Sequence, residues 1–373
     1  MQAFDFQFPP RLVGGPGSVD HIGRLARDLE STRALLLTDL ECVAAGHAAR
    51  IVASLEREGL AIVGELEVRG SRLASDGSAA TLARTEPHDI VVAVGHDGVL
   101  TVSRGIGDSS IRDAVGPDAS ESAVKVSGHA PIIAVPSLLG SFANAGRSKN
   151  DSSTAEPSTT VVGKAGFATI VLDAELSAGA SRETIAAVSI DAATHAIEAW
   201  VSTRRTAMSD LCAREAWRML AGSFLRVLTS SDDVGAMSGV LLGSFLASTA
   251  ADHSGLGAAH ACAGPVTRHY GVPHGTALAL LLPEVVRWNS RVVADRYAEL
   301  AAVRGELRRP EMLVARLEDL IAAGEFPNRL ASAGVIEGEL PVLAAEASAD
   351  TVGAFNPRKF DVAGALEIYA AAY

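Results

Sequence analysis

The chain has 373 residues, 48% of them hydrophobic and 20% charged, enough for two domains with substantial buried cores. Its formal charge of -12 excludes the basic footprint that a nucleic-acid backbone demands. The mixed segment from Arg304 to Arg309 is too short to offset that charge and reads as a solvated helix face. Three widely spaced cysteines, Cys42, Cys212 and Cys262, form no CxxC pair and read as reduced thiols. The opening MQAFDFQFPPRLVGG lacks a signal-peptide pattern, and no run approaches the ~20 apolar residues of a membrane helix. A cytoplasmic protein with neither nucleic-acid nor membrane partners is expected.

In chain order, residues Arg33 to Thr38 (RALLLT) predict a buried strand, followed by a helical pattern through Leu55. Ala61 to Val68, Ile90 to Val94 and Pro131 to Val135 predict three more strands. Strands alternating with helices imply crossover units and a mostly parallel, Rossmann-like sheet. Unbroken Val/Ile/Leu runs fit strands covered on both faces. From Ser141 to Thr160 polar and small residues dominate, which predicts a long loop or hairpin. Beyond Ser181 the pattern becomes helical, with runs at Arg182 to Ser202, Met208 to Leu228 and Val234 to Ala251. The expected organisation is an α/β nucleotide-binding-type domain over residues 1-180 and an all-α metal-binding domain over residues 181-373.

The segment SIDAATHAIEAW places Asp191 and His195 four residues apart, on one face of a helix. Farther on, HACAGPVTRHYGVPHG supplies His260, His269 and His274. His260 lies in a helical stretch of small residues, and His274 follows a Gly-Val-Pro break between helices. One carboxylate and three imidazoles suit Fe(II), Zn(II) or a similar ion and leave room for a substrate oxygen. Taken singly, each of these histidines reads better as an ordinary, partly buried one, and the Asp191/His195 pair at least as well as a surface contact.

Together they carry a resemblance. DAxTHAxEA, then a His fourteen residues before the His of a VPHG-type motif, resembles the iron-containing alcohol dehydrogenase family. So do the P-x-x-x-x-G-x-G-S stretch from Pro10 to Ser18, the pair Thr38-Asp39, the run from Asp173 to Leu176, Leu282-Pro283 and the run from Asn356 to Arg358. The resemblance implies a metal held by Asp191, His195, His260 and His274, gives His269 no ligand role, and implies a homodimer or larger assembly; as a lone histidine, His269 is expected on a loop wall.

It also implies two NAD(P) loops, and here the chain departs. Where the family has Gly-Gly-Gly-Ser-x-x-Asp-x-x-Lys after a strand, this sequence has Gly95-His96-Asp97-Gly98, with Thr101 at the Asp position and Arg104 at the Lys position. Two side chains stand where backbone approaches pyrophosphate, one of them an anion. Pro-Thr-Thr-x-Gly-Thr-Gly-Ser-Glu is replaced by a run from Pro136 to Asn144 that keeps Pro136 and Gly140, offers Ser137 and Ser141 in place of Thr hydroxyls, and brings in two Leu and Phe142. Asp39 suits a ribose hydroxyl and disfavours an NADP 2′-phosphate, or it is a helix N-cap. Gly264 replaces the second His that many members carry four residues after the one matching His260, and His96 becomes a candidate substitute base.

Three functions follow. The first is a metal-dependent oxidoreductase moving hydride between NAD and an alcohol or carbonyl, on a small-molecule or peptide-terminus substrate, including a tailoring substrate whose oxidation triggers decarboxylation. For it the nucleotide contacts would be Asp39, Gly95, Gly98, Arg104, Ser137 and Ser141. The second is a non-redox metalloenzyme (lyase, decarboxylase, cyclase or hydrolase) that has lost NAD. The third is a non-catalytic helper subunit.

Overall fold

The computed structural model describes residues 10-69, 72-73, 88-107, 130-137, 167-177 and 180-373. The chain divides into two compact units at residues 178/179, each taken by itself below.

The N-terminal unit is built on a sheet of β1 (Arg11–Gly14), β2 (Arg33–Thr38), β3 (Ala61–Arg69), β4 (Arg72–Leu73), β5 (Ile90–Gly95), β6 (Ile132–Pro136) and β7 (Phe167–Leu172). The spatial order is β1-β7-β6-β5-β2-β3-β4. Six strands run parallel, and β4 pairs antiparallel with β3. Every residue of β5 and β6 is buried, as is β2 after Arg33, which is why their sequences are continuous aliphatic runs. The chain leaves β2 towards β3 on one side and leaves β5 towards β6 on the other. The adjacent carboxyl ends of β2 and β5 therefore form a topological switch point, the place where open α/β sheets bind ligands.

The described helices of this unit are α1 (Ile22–Asp28), α2 (Leu40–Ala44), α3 (His47–Arg57) and α4 (Asp97–Gly107). The single helix expected after β2 is two, because Gly46 adopts a left-handed conformation (φ 78°) between them. On α3, Ala48, Ile51, Ser54 and Leu55 face inward, and Ala48, Ile51 and Leu55 join Val19, Ile22, Leu36, Val92 and Val135 in one core cluster. The region from Ser141 to Thr160 lies outside the described residues.

The C-terminal unit is helical among its described residues: α5 (Arg182–Val201), α6 (Ala207–Thr229), α7 (Val234–Ser254), α8 (Ala258–Tyr270), α9 (His274–Ala302), α10 (Pro310–Ala323), α11 (Leu340–Ala349) and α12 (Val362–Ala372), with short 3-10 turns. Ser181 caps α5 by accepting from the Thr184 N–H, and Thr206 with Ser209 forms a capping box on α6. Helix α5 is buried almost all round, from Ser189 to Val201 without a break, as the centre of a helical core must be.

Two expectations need correction. Helix α7 is long and apolar enough to span a membrane by length and composition, contrary to the reading that no such run exists. Most of it is buried, so its hydrophobicity serves the core. Arg304 to Arg309 is the turn between α9 and α10 and not a helix face. Gly305 takes φ 90° there, and Pro310 opens the next helix.

Candidate metal centre and nucleotide edge

Asp191, His195 and Glu198 fall at positions i, i+4 and i+7 of α5, one face of the helix, and all are buried. His195 Nδ1 donates to the Asp191 carbonyl at 2.9 Å, one turn back. That bond places the proton on Nδ1 and leaves the Nε2 lone pair free.

His260 is the third residue of α8, whose N-cap, Gly257, offers no side chain. The two N–H groups at that helix start are satisfied from afar: Asn356 Oδ1 accepts from Ala258 (3.2 Å) and Glu198 Oε1 from Ala259 (2.7 Å). The other Glu198 oxygen, Oε2, accepts from His260 Nδ1 at 2.6 Å. Glu198 thus caps α8, fixes the His260 tautomer and aims its Nε2 at Asp191, 3.4 Å from Oδ1. His274 is the first residue of α9, after Pro273, and its ring centroid lies 5.6 Å from that of His260. The His195 and His260 rings are 4.4 Å apart, edge to face.

The start of α9 is held against α5 by Gly275. A Cβ there would lie 2.6 Å from the Ala187 carbonyl oxygen. Gly275→Ala is therefore expected to cost about 1–3 kcal/mol in denaturant unfolding through overpacking. It should also displace the neighbouring His274, the first residue of α9. Unchanged stability would show that the contact relaxes freely.

Asp191 Oδ1, His195 Nε2 and His260 Nε2 are buried and make no well-aligned hydrogen bond among the described residues, although Asp191 Oδ1 lies 3.1 Å from His195 Nδ1; the three residues offer ligand atoms within 4.8 Å of one another. Burying one such group unpaired costs about 1–3 kcal/mol, so three converging ligand atoms make sense as a cation cradle. Burial favours the neutral form of Asp191, but the two imidazoles hold its carboxyl well below the ordinary range. Burial works against the His260 imidazolium, yet Glu198 and Asp191 push its pKa up to about 9, so without a cation Nε2 holds a proton towards Asp191, and a metal would displace it. This is a site of strong negative potential. The residues fit a divalent metal.

At the switch point, the carboxyl ends of β2, β5 and β6 bring Asp39, Gly95, His96 and Ser137 together. Asp39 is the N-cap of α2: its Oδ1 accepts from the Cys42 N–H at 2.8 Å. Its Oδ2 accepts from both the backbone N–H and ring Nδ1 of His96, each at 3.0 Å. Burial raises the Asp39 pKa, but these hydrogen bonds outweigh it and hold the carboxyl well below the usual value. Gly95 has φ 152°, and an added Cβ would meet Asp39 Oδ2 at 2.4 Å and Val99 Cγ2 at 2.5 Å. Its carbonyl accepts from the Ser137 N–H at 3.1 Å, and Ser177 Oγ donates to the Ser137 carbonyl at 2.7 Å. Gly98 lies in the first turn of α4. Ser141 and the side chain of Arg104 lie outside the described residues.

Two family profiles account for almost the whole chain. "Iron-containing alcohol dehydrogenase" matches residues 9–173, and "Fe-containing alcohol dehydrogenase family, C-terminal" matches residues 185–373. The chain belongs to the iron-containing alcohol dehydrogenase family. It is an oxidoreductase of the alcohol dehydrogenase type. It is 28% identical to the probable alcohol dehydrogenase EutG of Escherichia coli strain K12, over 100% of this chain and 97% of that one. It is 26% identical to the 1,3-propanediol dehydrogenase of Citrobacter freundii, over 99% of each. Its fold matches a solved 1,3-propanediol oxidoreductase with a TM-score of 0.85 and 25% identity, over 100% of both chains. At the switch point a glycine of positive φ leaves β5 and the chain runs through His96 into the start of α4.

Sequence reasoning did not single out Glu198, although its spacing from Asp191 and His195 marks the same helix face. Nor did it give Asn356 a role beyond the family motif. His269, expected on a loop wall, sits instead in the last turn of α8, its Nε2 2.8 Å from Glu346. The three cysteines are buried and free, and burial pushes the Cys42 thiol up to about 12 with Asp39 beside it.

Proposed function

We propose that this chain is a metal-dependent alcohol dehydrogenase or carbonyl reductase that uses a nicotinamide dinucleotide and a small alcohol or aldehyde substrate. The observation that carries the reading is the convergence of three buried ligand atoms, Asp191 Oδ1, His195 Nε2 and His260 Nε2, beside the His274 ring. These four side chains would hold the metal. One carboxylate with three imidazoles suits Fe(II) and Zn(II) alike. When bound, the metal supplies a Lewis acid for the substrate oxygen, and the nicotinamide supplies or takes up hydride.

What the chain itself contributes is preorganisation. Glu198 and the Asp191 carbonyl keep both imidazole protons on Nδ1, so neither ring must change tautomer to act as a ligand. Burial of the carboxylate and imidazoles excludes water and strengthens each charge in the site. Asp39, Gly95 and the start of α4 would hold the dinucleotide. The small-alcohol assignment leans on relatives named as 1,3-propanediol dehydrogenase and lactaldehyde reductase.

Titration of the metal-loaded protein with NADH, followed by nicotinamide fluorescence, is expected to give saturable binding. A flat titration up to millimolar cofactor would favour the non-redox metalloenzyme instead. That reading is supported by the His96 side chain standing on Asp39 at the nucleotide edge.

A further inference from the structure

His96 is the residue by which this chain departs most at the switch point, and its position is specific. Asp39 directly follows β2 and His96 directly follows β5, neighbouring parallel strands, and the two residues are fifty-seven apart in sequence. A carboxylate offers roughly four acceptor positions. Three on Asp39 are taken: one by the Cys42 N–H and two by His96, through its backbone and its ring. The far side of the ring, Nε2, lies 3.4 Å from Glu41 Oε2, so both imidazole nitrogens face carboxylates. The His96 side chain is 39% exposed and that of Asp39 only 15%. A ligand arriving at the crevice meets the edge of a donor-bearing imidazole before it meets the carboxylate.

A bare Asp39 would discriminate. It would accept from the ribose hydroxyl of NAD and repel the 2′-phosphate of NADP. With the ring in place, Asp39 Oδ2 is occupied by the backbone N–H and ring Nδ1 of His96, and the carboxylate is the less exposed of the two side chains. We propose that His96 sets dinucleotide choice by masking Asp39, so that the protein binds NAD(H) without the preference over NADP(H) that an uncovered Asp39 would impose. The inference rests on the dinucleotide-dependent reading above. It makes His96 a specificity residue acting through Asp39, not a base.

The test is equilibrium binding of NADH and NADPH by nicotinamide fluorescence, to wild type, His96→Gly, Asp39→Ser and the double variant. Serine at position 39 retains an N-cap for α2, so loss of the helix does not confuse the result. Wild type is expected to bind the two cofactors within about threefold of each other. His96→Gly should shift the ratio of dissociation constants towards NADH by about tenfold, the scale of one charge-assisted hydrogen bond. In the Asp39→Ser background the same His96→Gly change should leave the ratio unmoved. A ratio that His96→Gly does not move, or that it moves equally with Asp39 absent, would overturn this inference and leave dinucleotide dependence standing. Failure of all four proteins to bind either cofactor at millimolar concentration would overturn both.

Discussion

Protein carrying Asp191→Ala together with His195→Ala is expected to purify with less than about a tenth of the wild-type metal content and to lose alcohol-oxidising activity by at least about 10³-fold. The argument is geometric. Both residues lie on one turn of α5, and the proposed ligand atoms of Asp191, His195 and His260 converge within 4.8 Å. Removing two leaves His260 and His274, whose ring centroids are 5.6 Å apart and which bring no charge to offset that of a dication. Alanine is compatible with the helix and with neighbours such as Ala192 and Ala196, so the fold should survive. Elemental analysis and circular dichroism on the same sample separate loss of metal from loss of structure. Unchanged metal content in a folded double variant would refute the assigned ligand set. Chelation of the wild type should reproduce the effect and lower its thermal midpoint, because an ion that binds only the folded state stabilises it.

Much of this site was legible in the chain because its determinants are local. Asp191 and His195 share a helix turn, and a turn can be counted in sequence. RALLLT reads as β2 to the residue because a strand buried on both faces must be continuously apolar, and IVVAV announces β5 for the same reason. The edge strand β1 escaped notice because RLVG is short, mostly exposed and flanked by Gly and Pro. Residues Arg304 to Arg309 misled for a different reason: alternating charge marks solvent exposure but does not separate a helix face from a turn, whereas Gly305 and Pro310 do. What sequence could not show are pairings across the chain. Glu198 meets Ala259 and His260 some sixty positions away, and Asp39 meets His96 across two strands. The family resemblance made Asp39 and Gly95 candidate nucleotide contacts, but no periodicity reveals that a histidine at position 96 folds back onto the carboxylate.

Glu198→Gln, nearly isosteric, is expected to weaken metal binding by about 10–100-fold, the usual scale for losing the partner that orients a ligating histidine. The reason lies in the donors that Glu198 serves. Oε1 accepts the Ala259 N–H, and Oε2 accepts the proton on His260 Nδ1. A carboxylate satisfies both; an amide has only one oxygen. If the Gln oxygen stays on Ala259, its NH2 faces His260 Nδ1 and demands an acceptor there, which drives the proton to Nε2 and blocks the nitrogen meant for the metal. If the amide flips, NH2 opposes the Ala259 N–H and uncaps the start of α8, displacing His260 with it. Either orientation sacrifices one function. The signature that separates this from simple destabilisation is spectroscopic: in the cobalt-substituted protein the visible d–d bands should change in position and intensity, as one imidazole leaves the ligand set. Glu198→Gln protein that binds cobalt with wild-type affinity and spectrum would show that His260 needs no such orientation, and that Glu198 serves only to cap α8.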